Sequence, residues 1–445
     1  MSKATTGKTQ QSPMDVNAIE TVGELFVDGH QIEILADPTH DCGLRLLYWN
    51  GHSARVGSRF EHGGHIYRAA TLSRSFLLAT RLPVRQGKRI RVGSLVARIA
   101  NEIRKRLRLP ADDADRIAFY CVSTWFPDVV STLPLLLIVG MDPCYGFQTL
   151  RLIACFCRRP LILAGVPHNA FGFVADASPT LLIFDPRMSA TVGAALQASN
   201  LQGLLSLDRT GVHNYCFSKA VFWQPSAVDP SILKSGVLQI SLGAVPAGAL
   251  ELADRELRTV ADEFQPLLLT YRLENCTKVR ESRFDVPEFT FPTRATAAAL
   301  GKCLREDPRL TRHLIELLRW QDQAARSERS IDPDASLVEI LRGCLDTGLE
   351  TNTNGPTSVQ EIARLLNTLL RSRGAIQEYS PEDVGRMLKR LGVPRTRSAA
   401  GMRIIRDDET ARRVYSLSRS YGISTTESRE LKCRECDGVS RRVGV

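Results

Sequence analysis

The chain has 445 residues, 43% hydrophobic and 24% charged, enough apolar material for about three domains with real cores and too much for wholesale disorder. Its 58 lysines and arginines outnumber 48 acids for a formal net charge of +10, which favours polyanionic partners such as nucleic acid without requiring them. The longest apolar run, residues 133–141, is about half of the roughly 20 residues a bilayer helix needs, and the N-terminus lacks the apolar stretch of a signal peptide.

Eleven cysteines, several inside apolar runs (Cys121, Cys155, Cys157), suit buried reduced thiols and the cytoplasm better than a disulfide framework. Residues 1–20 are polar and read as a flexible tail. Residues 21–82 carry short alternating or apolar runs (25–27, 32–35, 44–49, 65–69, 76–79) separated by Asp-Gly, Asn-Gly and Gly-Gly, the pattern of a small, mostly antiparallel β-rich module. His40, Cys42, His52, His62 and His65 fall here on turns at irregular spacing and read as surface histidines, with no metal site expected. Residues 83–114 form a basic amphipathic helix and linker. Leu95, Ile99, Ile103 and Leu107 mark its apolar stripe, and between Arg85 and Arg108 nine basic residues face one acid, Glu102. A polyanion surface and a merely solvated helix fit that window equally. Trp125-Phe126-Pro127-Asp128 reads as a packing anchor whose aromatics would also be able to stack on a base.

From residue 115 to 250 the pattern changes to four or five apolar runs, at 135–139, 161–164, 181–184, 220–223 and, around Gln239, 237–240, as in a parallel sheet covered on both faces. The first run leads through Gly140 and Gly146 to a helix expected to begin near Gln148. A strand, a Gly/Pro turn and a helix form the setting of a phosphate-binding loop. The segment resembles the Walker A region of P-loop ATPases, with departures: Phe147 stands where the phosphate-binding lysine belongs, Gln148 where the magnesium-binding hydroxyl belongs, Thr149 follows, and Gly140 is one residue early. Residues 179–186 resemble a Walker B strand ending on Asp185, but Pro186 replaces the glutamate expected to polarise water. Residues 219–224 are the candidate sensor strand. The resemblance implies a P-loop-like α/β core whose nucleotide site, Gly140, Gly146, Phe147, Gln148, Thr149 and Asp185, is vestigial. No catalytic residue or bound cofactor is expected, and weak binding of ATP with magnesium is the most this donor set would support. Arg151, Arg158 and Arg159 are the only nearby substitutes for the lysine.

Residues 251–330 read as a helical connector (helices at 250–274, 293–305 and 309–326), and residues 331–423 as helices at 335–346, 358–371 and 381–391, strands at 393–397 and 402–406, and a helix at 409–421. Ser380, Pro381 and Asp383 form a capping pattern, and Gly392 suits a left-handed C-terminal stop. The arrangement resembles a winged helix, and with the core it resembles the bacterial, phage- and plasmid-type primase–helicase proteins. That likeness implies duplex DNA held by Arg386, Lys389 and Arg390 on the recognition helix and Arg395, Arg397, Arg403 and Arg406 on the wing, in a chain that forms homo-oligomers. Residues 424–445 are a tail whose Cys433 and Cys436 lack a second ligand pair. His213 and Cys216 lack the surroundings of a nucleophile–base pair.

The expectation is therefore a DNA-associated protein of the replication or mobile-element type with an inactive P-loop-like core. The alternatives are an active ATPase or helicase subunit completed by a neighbouring protomer's arginine, and an interaction scaffold.

Overall fold

Turn signals and short alternating runs near the N-terminus become seven strands. The computed structural model describes residues 18–40, 42–164, 178–185, 196, 205–208, 211–214, 218–224, 237–245, 252–330, 332–351, 358–398, 401–405, 407–421 and 423. It divides into two units, Met1–Asp322 and Gln323–Val445. The first opens with β1 (Ile19–Thr21), β2 (Gly23–Leu25), β3 (Gln31–Ala36), β4 (Leu44–Trp49), β5 (Ala54–Gly57), β6 (Arg59–His62) and β7 (His65–Ala69). Strands β2-β3-β4-β5 form one antiparallel sheet, while β1-β7-β6 form another in which β1 runs parallel to β7. Strand β3 is buried on both faces. Ile32 and Ile34 pack with Leu46 and Tyr67 inside this region, whereas Leu35 joins Leu47 and Trp49 in the main core, as a period of two requires.

Three helices follow, α1 (Arg74–Ala79), α2 (Val92–Leu107) and α3 (Ala111–Ser123). The expected stripe of α2 is its buried face, and Arg108, left-handed at φ 54°, ends it. Pro110 occupies the N-cap of α3. Every residue of α3 from Ile117 to Ser123 is buried, so that half of the helix carries no polar face.

The five apolar runs become β8 (Leu135–Gly140), β9 (Pro160–Leu163), β10 (Thr180–Phe184), β13 (Lys219–Trp223) and β14 (Val237–Leu242), with α4 (Pro143–Ile153) after β8 and the hairpin β11 (Leu205–Asp208) and β12 (Gly211–Asn214) before β13. They form a single sheet of order β14-β8-β13-β10-β9, parallel at every pair. Successive residues Leu135 to Ile138 are at most 3% exposed, so both faces are covered. The unit continues through α5 (Asp254–Glu281) and α6 (Phe291–Leu304) to α7 (Pro308–Ser330). The protein thus has a parallel α/β core and an N-terminal β-rich region.

An ion cluster locks these parts together. The Glu33 carboxylate on β3 accepts from Arg158 at 2.8 and 3.0 Å, from Arg159 at 2.8 Å and from Arg272 of α5 at 2.6 Å. Arg272 also donates to Asp128 at 2.8 Å. The three arginines and Glu33 are at most 5% exposed. Burial opposes ionisation of Glu33, but the three guanidiniums outweigh it and hold its carboxyl well below the usual range. Residues 21–82 and 115–250 thus share one unit with common buried charges. Trp125 is the expected anchor: its indole N–H donates to the Phe156 carbonyl at 2.9 Å.

The second unit contains α8 (Pro333–Thr351), α9 (Val359–Ser372), α10 (Pro381–Arg390), the antiparallel pair β15 (Arg395–Ser398) and β16 (Gly401–Ile404), and α11 (Asp408–Ser420). Leu337, Leu341, Ile362, Leu366, Val384, Leu388 and Val414 are part of its core. Cys121, Cys155, Cys157, Cys276 and Cys303 are buried free thiols. Among the described residues, no helix is long and apolar enough to cross a membrane.

Candidate functional site

The strand order places the turn after β8 and the ends of β10 and β13 along the carboxyl edge of the parallel sheet, where open α/β folds bind ligands. Gln224, just beyond β13, donates from Nε2 to the Met141 carbonyl at 2.8 Å, and Asp185 follows β10 half-buried. The sequence reading brought the right strands to this edge.

The loop itself differs from expectation. Helix α4 begins at Pro143, not near Gln148, because Asp142 is its N-cap and its carboxylate accepts the Tyr145 N–H at 2.8 Å. Pro143 has no N–H, and the Gly146 N–H bonds the Asp142 carbonyl at 3.0 Å. The Tyr145 and Gly146 N–H groups are thus already used, and the Asp142 carboxylate stands at the helix N-terminus. Gly146 and Phe147 therefore lie within the helix. A Cβ at Gly146 would stand 2.2 Å from the Phe222 ring, and one at Gly140 3.0 Å from Leu242 Cβ, so both glycines serve close packing. Thr149 is fully buried, with its hydroxyl donating to the Tyr145 carbonyl at 2.9 Å. Phe147 lies edge-on to Phe184 at 5.6 Å, and Phe184 stacks on Phe222 at 5.5 Å. Phe184 and Phe222 lie near the carboxyl ends of β10 and β13, with the exposed Phe147 ring beside them.

None of the three arginines considered as lysine substitutes is positioned for that role. Arg158 and Arg159 precede β9 at the opposite end of the sheet and are held by Glu33. Arg151 lies over the Phe147 ring at 5.9 Å, but it donates to Gln148 at 2.9 Å and the Leu252 carbonyl at 2.8 Å, and it also pairs with Asp254.

The basic residues of the Arg85–Arg108 window and those of the second unit differ in what surrounds them. In the first, Arg89 pairs with Glu274 at 3.1 Å, Arg98 with Glu263, and Arg106 with Glu102 at 2.8 Å and Glu256 at 3.8 Å. Acids on α5 thus offset a positive face that is unbalanced in sequence. In the second unit Ser380 and Asp383 form the expected capping box at α10, and Gly392 has φ +68°. Hydrogen bonds from Ser380, then Arg386, hold the Asp383 carboxyl at about 2. Lys389, Arg397 and Arg403 are exposed and have no acidic partner among the described residues. Arg386 is exposed and pairs with its neighbour Asp383. Arg390 differs: its guanidinium bonds both Asp334 carboxylate oxygens at 2.6 Å. Arg395 turns inward to the Gly385 carbonyl. Cross-strand pairing puts Arg403 opposite Thr396 and Arg397 opposite Met402, so those two arginines lie on different faces of the hairpin. Arg406, Cys216, Cys433 and Cys436 lie outside the described residues.

One grouping was missed. His62 meets Asp28, His30 and Tyr48, none of which the sequence reading selected; His65 is its cross-strand partner but is not one of the grouped ligands. The available signal was a polar Asp-Gly-His turn and a His-Gly-Gly-His turn in one small β region.

No family model matches the chain, and no curated protein matches it. Among solved structures it is similar to an apo form of the NrS-1 C-terminal region, at 10% identity over 84% of this chain and 96% of that one, with a TM-score of 0.34. It is also similar to a full-length MCM homolog from Methanopyrus kandleri, at 10% identity over 63% of this chain and 69% of that one, with a TM-score of 0.36. At those scores neither likeness carries an argument about fold or activity.

Proposed function

We propose that this chain is a DNA-associated protein of the replication or mobile-element type, in which a P-loop-like α/β core serves as scaffold and the second unit is a winged helix that holds duplex DNA. The observation that carries the reading is the exposure of Lys389, Arg397 and Arg403, without acidic partners among the described residues, on a well-capped helix and the hairpin beside it. Helix α10 would enter the major groove and the hairpin would track the flanking backbone. Arg386 would join them by exchanging Asp383 for a phosphate, whereas Arg390 and Arg395 would act within the protein. The backbone pairing of Ser358 with Arg403 ties the start of α9 to the hairpin and supports the winged-helix assignment.

The core's part in this reading is structural. Phosphoryl transfer needs a lysine, a metal and a water-orienting group held around the phosphate. The early start of α4, the carboxylate at its N-terminus and the Phe147–Phe184–Phe222 stack all speak against a nucleotide there.

Fluorescence anisotropy of the full chain with duplex DNA across a salt series tests the proposal. The logarithm of affinity should fall with log salt by about 0.9 per phosphate neutralised. Lys389→Ala and Arg397→Ala should each weaken binding to every sequence and flatten the slope by about one unit, while Arg390→Ala leaves both unchanged. Affinity and slope indifferent to Lys389, Arg397 and Arg403 would refute the assignment.

A further inference from the structure

The tip of the β2–β3 hairpin brings chemistry-bearing side chains against the end of β6. Asp28 and His30 lie on a turn closed by Phe26 N–H to His30 carbonyl at 2.9 Å and Gly29 N–H to Phe26 carbonyl at 3.1 Å, with Gly29 at φ +86°. The His30 N–H donates to Asp28 Oδ1 at 3.0 Å, which orients the carboxylate. Its other oxygen, Oδ2, lies 3.4 Å from His30 Nδ1 and 3.3 Å from His62 Nε2. His62 Nδ1 is 3.3 Å from His30 Nδ1, and the Tyr48 hydroxyl lies 2.8 Å from His30 Nδ1 and 3.1 Å from His62 Nδ1. The rings are held from behind: Phe26 packs on His62 with centroids 3.9 Å apart, and Phe60 stacks on Tyr48 at 5.4 Å.

Tyr48 Oη, His30 Nδ1 and His62 Nδ1 form a triangle with three short edges. A mixed pair of neutral tautomers satisfies it, and so does a cation held by His30 Nδ1 and His62 Nε2, which leaves His62 Nδ1–H to donate to the Tyr48 hydroxyl. Tetrahedral zinc with Zn–N bonds of about 2.0–2.1 Å separates neighbouring ligand atoms by about 3.3 Å; Asp28 Oδ2 already lies 3.4 Å from His30 Nδ1 and 3.3 Å from His62 Nε2, and one ligand atom from each of the three residues falls within 4.8 Å of the other two.

We propose that Asp28, His30 and His62 bind one zinc-class divalent cation, with the Tyr48 hydroxyl hydrogen-bonded beside it and water completing the shell. Two imidazoles and one carboxylate favour zinc or its borderline neighbours over calcium or magnesium, which take oxygen ligands. Side-chain exposure rises from 16% at His62 through 31% at His30 to 50% at Asp28, which leaves an entry path and room for the water on the carboxylate side. Asp28 and His30 lie on the turn that joins two strands of the four-stranded sheet, and His62 ends β6 of the three-stranded one, so the ion links the two small sheets. Such a cross-link adds its binding free energy to the stability of the region.

The test uses the full chain carrying Cys433→Ser and Cys436→Ser, which removes the other plausible donor pair, stripped with EDTA and titrated with zinc by calorimetry. About one zinc per chain should bind at micromolar concentration or below, and zinc should raise the melting temperature. His62→Gln and the more exposed Asp28→Asn should each lower affinity at least about tenfold and abolish the thermal shift, with metal-free melting unchanged. Tyr48→Phe should keep the stoichiometry and weaken binding by about tenfold, as loss of an outer-shell partner does. The cobalt form should show visible d–d bands without a thiolate charge-transfer band. Absence of zinc uptake at micromolar concentration, or uptake unchanged in both Asp28→Asn and His62→Gln, would overturn the proposal and leave the cluster a hydrogen-bonded rim.

Discussion

Replacing Glu33 by glutamine keeps the shape of the side chain but removes the charge on which Arg158, Arg159 and Arg272 converge. Asp128 alone would then face three cations that are almost wholly buried. Breaking a buried pair by deleting one partner costs about 3–5 kcal/mol, because the remaining charge is left in a poorly solvating interior. For a cooperative unit of 322 residues, an unfolding entropy of about 2.1 cal/mol/K per residue converts that loss into a fall of about 4–7 °C in melting temperature. Scanning calorimetry at neutral pH reads it directly.

The pH dependence has a defined sign. The folded pKa of Glu33 lies below the unfolded value of 4.5, so the unfolded chain binds more protons between the two values and stability rises with pH there. The difference between the parent and Glu33→Gln should be constant from pH 8 to about pH 5 and shrink as pH falls below about 4.5. The double variant Glu33→Met, Arg159→Met removes one charge of each sign and should be less damaged than Glu33→Gln. A loss under about 1 kcal/mol at pH 7, or a difference undiminished at pH 3, would refute the view that uncompensated charge sets the cost.

Magnesium-dependent ATP hydrolysis should not exceed background, and Phe147→Lys should not create it, since Pro186 offers no water-orienting group; turnover abolished by Asp185→Ala would reinstate an active nucleotide site. Gly146→Ala should destabilise the first unit by about 1–3 kcal/mol in thermal melts, because its Cβ would press on the Phe222 ring at 2.2 Å. Ser380→Ala should lower the stability of the second unit by about 1 kcal/mol through loss of the capping box, read as an earlier melt of that unit.

Features with a local cause were legible in the sequence. Leu135–Ile138 of β8 and Leu181–Ile183 of β10 read as unbroken apolar runs because they are buried on both faces, whereas the edge strand β14 alternates, with Gln239 and Ser241 exposed. The start of α10 follows from Ser380, Pro381 and Asp383, which meet within one helical turn, and its end from the left-handed freedom of Gly392. Packing between distant segments decided the rest. Helix α3 was missed because its C-terminal half, Ile117 to Ser123, is buried all round and shows no periodicity there. Gly146 invited a phosphate-loop reading, yet its reason is the Phe222 ring on a strand far along the chain, and the helix start belongs to Asp142. The basic window at Arg85–Arg108 lost much of its excess to Glu256, Glu263 and Glu274, which only the packing of α5 against α2 brings near. Asp28, His30 and His62 share no sequence spacing because two separate sheets carry them. Capping and periodicity act over three or four residues and are written into neighbouring letters, whereas ion pairs and ligand sets depend on which faces meet, and that is settled only when the chain packs.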